Sequence, residues 1–374
     1  MRHRALDGWR GAGALAVVTL HYKASGFFPD LPPLDCLSLA VDFFFVLSGF
    51  VIARTYTAEL DKGGNVLAFA IRRFGRLWPL HASLLAVLIA IELVASIRGG
   101  LSSGLPPFSD IRAPAMILPN LLLVQPFLSP SELTWNYSSW SISAEFWTYL
   151  VFALLVVASR PLRRGRVAMF TCLAVAAWGA VLVWAPDGME TTGYLAIARC
   201  LTGFFAGVIA ETLFRTDAVR RLSLGHFEIL AAASAVSLIV AAAMLPNARF
   251  AAPVVFSFLV LAYAGDRGPI SMVLCTRPVQ WLGKLSYSIY MTHALLLIHV
   301  TQKVVNAVAR LVGDHLLLVE LILPVVFFIL LICTSLVTYL VIEMPCQKMF
   351  ASFAGRLART TPMPASATGD GHAL

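Results

Sequence analysis

The sequence has few charged residues. Only 13% of its 374 residues are Asp, Glu, Lys or Arg, and 59% are apolar, whereas about 25% charged residues is usual in a soluble domain. This composition excludes a disordered chain and a soluble repeat protein, because both need a large polar surface. A membrane-spanning helix takes about 20 predominantly apolar residues. We therefore predict an integral membrane protein with short loops.

Cysteine pairs with the spacing of a metal site or a redox motif are also lacking. Six cysteines are scattered without a C-x-x-C pair, at Cys36, Cys172, Cys200, Cys275, Cys333 and Cys346. The sequence therefore predicts neither a metal site nor a disulfide framework. The net charge of +8 would suggest nucleic acid in a soluble protein. In a membrane protein basic residues set the topology instead, so we expect no nucleic-acid partner.

Apolar runs long enough to span a bilayer occur ten times. They lie at about 9–22, 38–56, 77–97, 140–158, 167–185, 194–213, 227–245, 249–265, 285–302 and 318–342. Basic residues are retained on the cytoplasmic side. With ten spans and both termini in the cytoplasm, twenty-one of the 28 Lys and Arg residues fall on the inner side and six on the outer side. The predicted fold is thus all-α, with about ten transmembrane helices.

A shorter apolar run at 113–128 lies in a stretch rich in proline and glycine, 98–139. If this run also spanned the membrane, every later basic loop would lie outside. We therefore predict an outer or re-entrant loop, which protein or a water-filled cavity must cover. The transmembrane domain then occupies 1–345, and a low-complexity cytoplasmic tail follows at 346–374.

Ionisable side chains within the predicted spans are the candidate functional residues, because they are costly in a membrane. Arg10 and His21 are eleven residues apart, so they share one face of the first helix, about 16 Å from each other. They outline a path inward from the cytoplasm, although His21 could instead be a hydrogen-bonded interfacial histidine. Asp42 and Glu145 are candidates to orient the imidazole, since a nearby carboxylate fixes its tautomer. A purely structural partnership is an equal alternative for Asp42.

Arginines cluster at the inner end of the third span, in R-R-F-G-R-L-W-P at 72–79. Arg73 and Arg76 share a helix face, and guanidinium groups suit phosphates. The alternative is a basic anchor that only sets the topology. Supporting polar positions are Asp7, Ser286, Tyr290, His293 and Glu343. For the last four, hydrogen bonding between helices is the simpler interpretation.

Together these segments resemble the bacterial membrane acyltransferases of acyltransferase family 3. The matching motifs are L-D-G-W-R-G at 6–11, the spacing of Arg10 and His21, V-D-F-F-F-V-L-S-G-F at 41–50, R-R-F-G-R-L-W-P at 72–79, W-S-I-S-A-E at 140–145, S-Y-S-I-Y-M-T-H at 286–293 and E-M-P at 343–345. The resemblance implies transfer of an acyl group, usually acetyl, from acyl-CoA to a hydroxyl of a carbohydrate or glycolipid. It further implies His21 as the catalytic histidine and Arg73 and Arg76 as donor-binding residues. Many relatives carry a second carboxylate beside Glu145, where this chain has Phe146.

These inferences combine into one hypothesis. Acyl-CoA (acetyl-CoA) is a co-substrate, and no cofactor is permanently bound. Arg10, Arg73 and Arg76 hold the phosphates of acyl-CoA. His21 acts as general base or as an acyl carrier. The expected location is the bacterial inner membrane, with a role such as surface polysaccharide modification. A transporter or flippase of a sugar- or lipid-linked substrate is the alternative, because buried ionisable groups suit it too. No internal repeat of the kind many transporters show is found, and the polar lining argues against a non-catalytic sensor or scaffold.

Overall fold

The computed structural model describes residues 3–24, 31–102, 104–128, 133–222, 226–301 and 316–360. These residues form helices and contain no β-strand, only an isolated bridge between Ser102 and Leu105. The longer helices are α1 (Arg4–Tyr22), α2 (Ala40–Asp61), α3 (Val66–Ile97), α4 (Ser139–Ala158), α5 (Arg166–Trp184), α6 (Ala196–Phe214), α7 (His226–Met244), α8 (Ala252–Tyr263), α9 (Arg277–His299), α10 (Leu316–Thr338) and α11 (Met344–Thr360).

Eight helical segments among the described residues are long and apolar enough to cross a membrane. The prediction of an all-α membrane protein is therefore confirmed. The helices α1 and α9 are not among the eight, and they contribute most of the polar residues predicted for the site. The count of ten spans and the cytoplasmic position of both termini stay predictions.

The helices α1 and α9 lie side by side, and α2 packs against α6. Glycine permits the first of these contacts, because a Cβ on Gly283 would overlap the carbonyl group of Asp7, and one on Gly11 would overlap the backbone of Gly283. Backbones can approach this closely in a membrane only where small residues meet. The contact brings the first turns of α1, including Arg10, against the N-terminal half of α9.

The predicted outer loop forms short helical turns instead of a long helix, including Pro114–Met116, Ile117–Leu121 and Gln125–Phe127. A buried ion pair fixes the loop to the C-terminal end of α3, where Arg112 donates to Glu92 at 2.5 Å. Glu92 also accepts hydrogen bonds from the Ser102 hydroxyl and the Phe108 amide. A buried charged group needs such partners. These contacts therefore hold the loop tightly to the bundle.

The C-terminal region differs from the predicted tail. After α10 the chain passes through a π-helical turn at Tyr339–Glu343 and continues as α11, which packs against α3. Apolar side chains at Phe350 and Ala354, four residues apart, lie on the side facing the bundle; Ala354 is fully buried. The tail predicted from 346 is thus helical as far as Thr360, and the low-complexity residues 361–374 lie outside the described residues.

Candidate active site

A cavity of about 160 Å³ lies between α1, α2, α3, α4 and α9. Its polar and charged lining consists of Arg10, Ser48, Arg73, Arg76, Ser141, Glu145, Tyr149, Ser286, Tyr287 and Tyr290. Six of the predicted site residues are in this set, although up to 280 positions separate them in the sequence. Most of the remaining lining is aromatic or aliphatic, as in ligand sites that fix orientation with a few polar groups.

Arg10 is held by two other predicted site residues. Its guanidinium forms a salt bridge with Asp7 at 2.9 Å and donates to the Ser286 hydroxyl at 3.1 Å. It also donates to the carbonyl of Gly283 at 3.0 Å, which the close contact of α1 and α9 brings within reach. Asp7 and Ser286 therefore orient Arg10 at the cavity wall.

Arg73 and Arg76 extend the basic wall from α3. Arg73 donates to the Tyr56 hydroxyl at 2.8 Å and lies 5.0 Å from the centre of that ring. Arg76 pairs with Glu343 at 2.5 Å, and its guanidinium lies 5.5 Å from the ring of Tyr287. Both residues line the cavity, and their guanidinium groups are held by these contacts, so an anionic ligand would meet donors that are already oriented.

Glu145 lies in the same cavity. The Tyr149 hydroxyl donates to one carboxylate oxygen of Glu145 at 2.5 Å. That hydroxyl also lies 2.8 Å from the hydroxyl of Ser48 on α2. Glu145 is thus the acidic residue of a cavity whose other charged lining residues are arginines.

His21 lies beyond the cavity lining in a cluster of aromatic rings. Its ring centre is 4.6 Å from that of Tyr137 and 5.2 Å from that of His293, and the two imidazoles are nearly parallel at 23°. Tyr290 links this cluster to the cavity: its ring lies 5.9 Å from His293, and its hydroxyl is 2.7 Å from Ser141. The predicted residues His21, Tyr290 and His293 are therefore neighbours.

The tautomer of His293 follows from its hydrogen bond. Nδ1 lies 2.6 Å from the carbonyl oxygen of Tyr290, and a carbonyl can only accept, so Nδ1 carries the proton. Nε2 is then an acceptor, and it is buried with no hydrogen-bond partner among the described residues.

Tyr137 has no role in the sequence-based prediction. It belongs to the loop just before α4, and burial raises the pKa of its phenol above the ordinary value. The phenol therefore stays protonated at physiological pH. The available sequence signal was an aromatic residue three positions before the W-S-I-S-A-E motif.

Asp42 does not line the cavity but pairs with Arg199. Both of its carboxylate oxygens accept hydrogen bonds from Arg199 on α6, at 3.0 and 2.8 Å. The two side chains are only 1% and 2% exposed, and Arg199 lies 5.3 Å from the ring centre of Trp140. This geometry favours the structural alternative for Asp42, in which its carboxylate neutralises a buried arginine. We predicted no role for Arg199 from the sequence.

The described residues thus form a helical membrane protein with a basic-walled cavity next to a histidine cluster. The acyltransferase family 3 profile, described as an acyltransferase domain, matches residues 3–344. The chain belongs to this family, which confirms the resemblance seen in its motifs. It is a membrane acyltransferase.

Three relatives illustrate the range of the family. Acyltransferase MdmB of Streptomyces mycarofaciens is 30% identical over 325 residues, which cover 79% of each chain. Peptidoglycan O-acetyltransferase OatA of Listeria monocytogenes is 22% identical over 321 residues, 77% of this chain and 48% of its own. Protein 2 in the picA locus of Rhizobium radiobacter is 41% identical over 95 residues, 25% of this chain and 48% of its own. The matched region therefore covers most of MdmB and about half of each of the other two proteins. No solved structure matches the chain significantly.

Proposed function

We propose that this protein transfers a short acyl group, typically acetyl, from acyl-CoA to a hydroxyl of a carbohydrate or related acceptor at the bacterial inner membrane. The observation that carries the proposal is the grouping of Arg10, Arg73 and Arg76 on one cavity, with His21 and His293 beyond it. Family membership favours this function over a transporter or flippase.

The donor is acyl-CoA in this proposal, because its phosphates match the arginine wall. Charge-assisted hydrogen bonds from guanidinium groups are the strongest kind available to a phosphate. The pantetheine arm would extend from the arginines toward the histidine cluster. The separation of Arg10 and His21 along α1, about 16 Å, sets the length that this arm must cover.

His21 is the general base. It takes the proton of the acceptor hydroxyl while the oxygen attacks the thioester carbonyl, and the coenzyme A thiolate leaves and takes up that proton from the imidazolium. Of the two carboxylates predicted to orient His21, Glu145 suits the reaction better, because it lines the cavity while both oxygens of Asp42 are bound by Arg199.

The acceptor is proposed from the relatives and from the outer loop. OatA is named for O-acetylation of peptidoglycan, a carbohydrate polymer. In this chain the loop that contains Tyr137 lies over the His21 cluster. We infer that the acceptor hydroxyl approaches His21 from the loop side, where selection among surface polysaccharides, lipid-linked glycans and smaller sugars would take place.

The test is binding and turnover of radiolabelled acetyl-CoA by purified protein in nanodiscs. Each hydrogen bond to a charged group contributes about 1.5–3 kcal/mol, so Arg73→Ala/Arg76→Ala should raise the Kd about 100-fold or more. His21→Ala should keep binding and lower turnover by about 100-fold or more. Arg277→Ala is the matched control, because Arg277 is exposed and is not part of the cavity lining. Normal turnover in His21→Ala, or no acetyl-CoA binding by the unchanged protein, would refute the proposal.

A further inference from the structure

The helix α11 covers the part of α3 that carries Arg73 and Arg76. The contact centres on Gly75, which lies between the two arginines and is buried. A Cβ on Gly75 would overlap the Cβ and ring of Phe350, and the ring of Phe350 lies 6.0 Å from that of Phe74. The absence of a side chain at Gly75 is therefore what allows α11 to lie this close to α3.

A second link joins the same two elements. Glu343, at the end of the π-helical turn, is 2% exposed. One of its oxygens binds Arg76 at 2.5 Å, and the other accepts a hydrogen bond from Ser288 on α9 at 2.7 Å. Gln347 on α11 donates to Glu343 at 3.1 Å. One carboxylate thus connects α3, α9 and α11 directly behind the cavity.

These two contacts act on neighbouring residues. Phe350 fixes the backbone of α3 at Gly75, and Glu343 fixes the guanidinium at the next position. An arginine has a long and flexible side chain, so holding it for ligand binding requires both a fixed backbone and a fixed head group. The lining residues themselves are on α1, α2, α3, α4 and α9, and α11 does not contribute to the cavity.

We propose that α11 is a positioning element for the co-substrate site. The packing of Phe350 on Gly75 and the ion pair of Glu343 with Arg76 hold the arginines of α3 in the orientation that binds the anionic part of the co-substrate. This inference rests on the proposed binding of acyl-CoA by Arg73 and Arg76. If α11 only stabilised the bundle, changes in it would lower the amount of folded protein but not the affinity of the folded fraction.

The first experiment measures acetyl-CoA affinity and turnover separately in nanodiscs. Gly75→Ala should displace α11 or α3 and raise the Kd about tenfold or more, because the arginines would no longer be oriented toward the phosphates. The value of kcat at saturating donor should stay near that of the unchanged protein, because these arginines bind the part of the donor that does not react. Gly75→Ala/Phe350→Gly should recover part of the affinity, because it removes both the Cβ and the ring that a methyl group on residue 75 would overlap. The control is Gly179→Ala on α5, where a Cβ has nothing within 4 Å.

A second pair of variants decides the question if Gly75→Ala does not fold. Glu343→Asp keeps the negative charge but withdraws it from Arg76 by one methylene, so it should raise the Kd and leave kcat unchanged. Glu59→Asp is the matched control, because Glu59 pairs with Arg72 at 2.6 Å and Arg72 is not part of the cavity lining.

The outcomes separate this inference from the proposed function. If the unchanged protein does not bind acetyl-CoA, the donor assignment fails and the role of α11 fails with it. If it binds, and only Arg73→Ala/Arg76→Ala weakens binding while folded Gly75→Ala or Glu343→Asp does not, the positioning role alone is wrong. Failure of the double variant to recover affinity would also overturn the contact between Gly75 and Phe350 as the cause.

Discussion

The salt bridge of Asp42 and Arg199 provides a stringent test of how buried charge is handled in this protein. The side chains are 1% and 2% exposed and share two hydrogen bonds. Removing one partner leaves the other charge buried and unpaired, which typically costs about 3–5 kcal/mol. We therefore expect Asp42→Asn and Arg199→Met each to reduce the free energy of unfolding by about that amount.

Removing both charges should be much less harmful than removing one. Apolar residues of similar volume can replace a buried ion pair with little loss of stability, so Asp42→Leu/Arg199→Met should recover most of the loss. Unfolding can be followed by tryptophan fluorescence while SDS is titrated into mixed micelles. A suitable control is Glu59→Gln, because the pair of Glu59 and Arg72 is more exposed, at 43% and 18%, and should contribute only about 0–1 kcal/mol.

The double variant also tests what Asp42 does. If Asp42 serves only as the partner of Arg199, turnover per folded molecule should be close to that of the unchanged protein. Lost turnover in a stable double variant would show that the pair has a role in the reaction beyond stability. Single variants as stable as the unchanged protein would refute the reasoning from burial.

Three further predictions concern other contacts. Glu92→Gln should leave Arg112 without its carboxylate partner and reduce the free energy that holds the loop to the bundle by about 3–5 kcal/mol. We expect faster proteolysis within 98–139, with an unchanged helix content by circular dichroism. Tyr137→Phe should keep turnover near normal, because the aromatic ring that packs on His21 remains. Tyr137→Ala should lower kcat about tenfold or more without changing the Kd for acetyl-CoA. Equal rates in both variants would contradict this prediction. Gly283→Ala should destabilise the contact of α1 and α9 by about 1–3 kcal/mol through overpacking, measured as a lower Tm beside an unaffected Gly179→Ala.

Apolar periodicity was sufficient to locate most of the helices. The run at 140–158 corresponds to Ser139–Ala158, and the run at 167–185 corresponds to Arg166–Trp184. The third run, predicted from 77, begins eleven residues earlier in the structure, at Val66. A hydrophobicity window detects only the part of a helix that lipid surrounds, so the arginine-bearing first turns of α3 and the whole of α11 were not recognised.

The site was predictable only as far as single helices allow. Spacing placed Arg73 and Arg76 on one face, and the structure brings both to one cavity with Arg10 and Glu145. The neighbours of a side chain on other helices depend on packing between segments far apart in sequence. For that reason the approach of His293 and Tyr137 to His21, and the capture of Asp42 by Arg199, became visible only in three dimensions.

The π-helical turn at Tyr339–Glu343 has a consequence for how the protein tolerates insertions and deletions. Such a turn closes its hydrogen bonds over five residues instead of four, so it takes up one residue more than an α-helix of the same path. Deleting a single residue here would therefore leave a regular helix with α10 and α11 in the same phase. Each residue of an α-helix rotates the chain by about 100°, so deleting one residue from the regular part of either helix would rotate α10 against α11 by that amount. The lipid-facing side of α10 and the α3-facing side of α11 could then no longer both be satisfied, and Phe350 would face away from Gly75. The π-helical turn is therefore the position in this region at which the loss of one residue should be tolerated best.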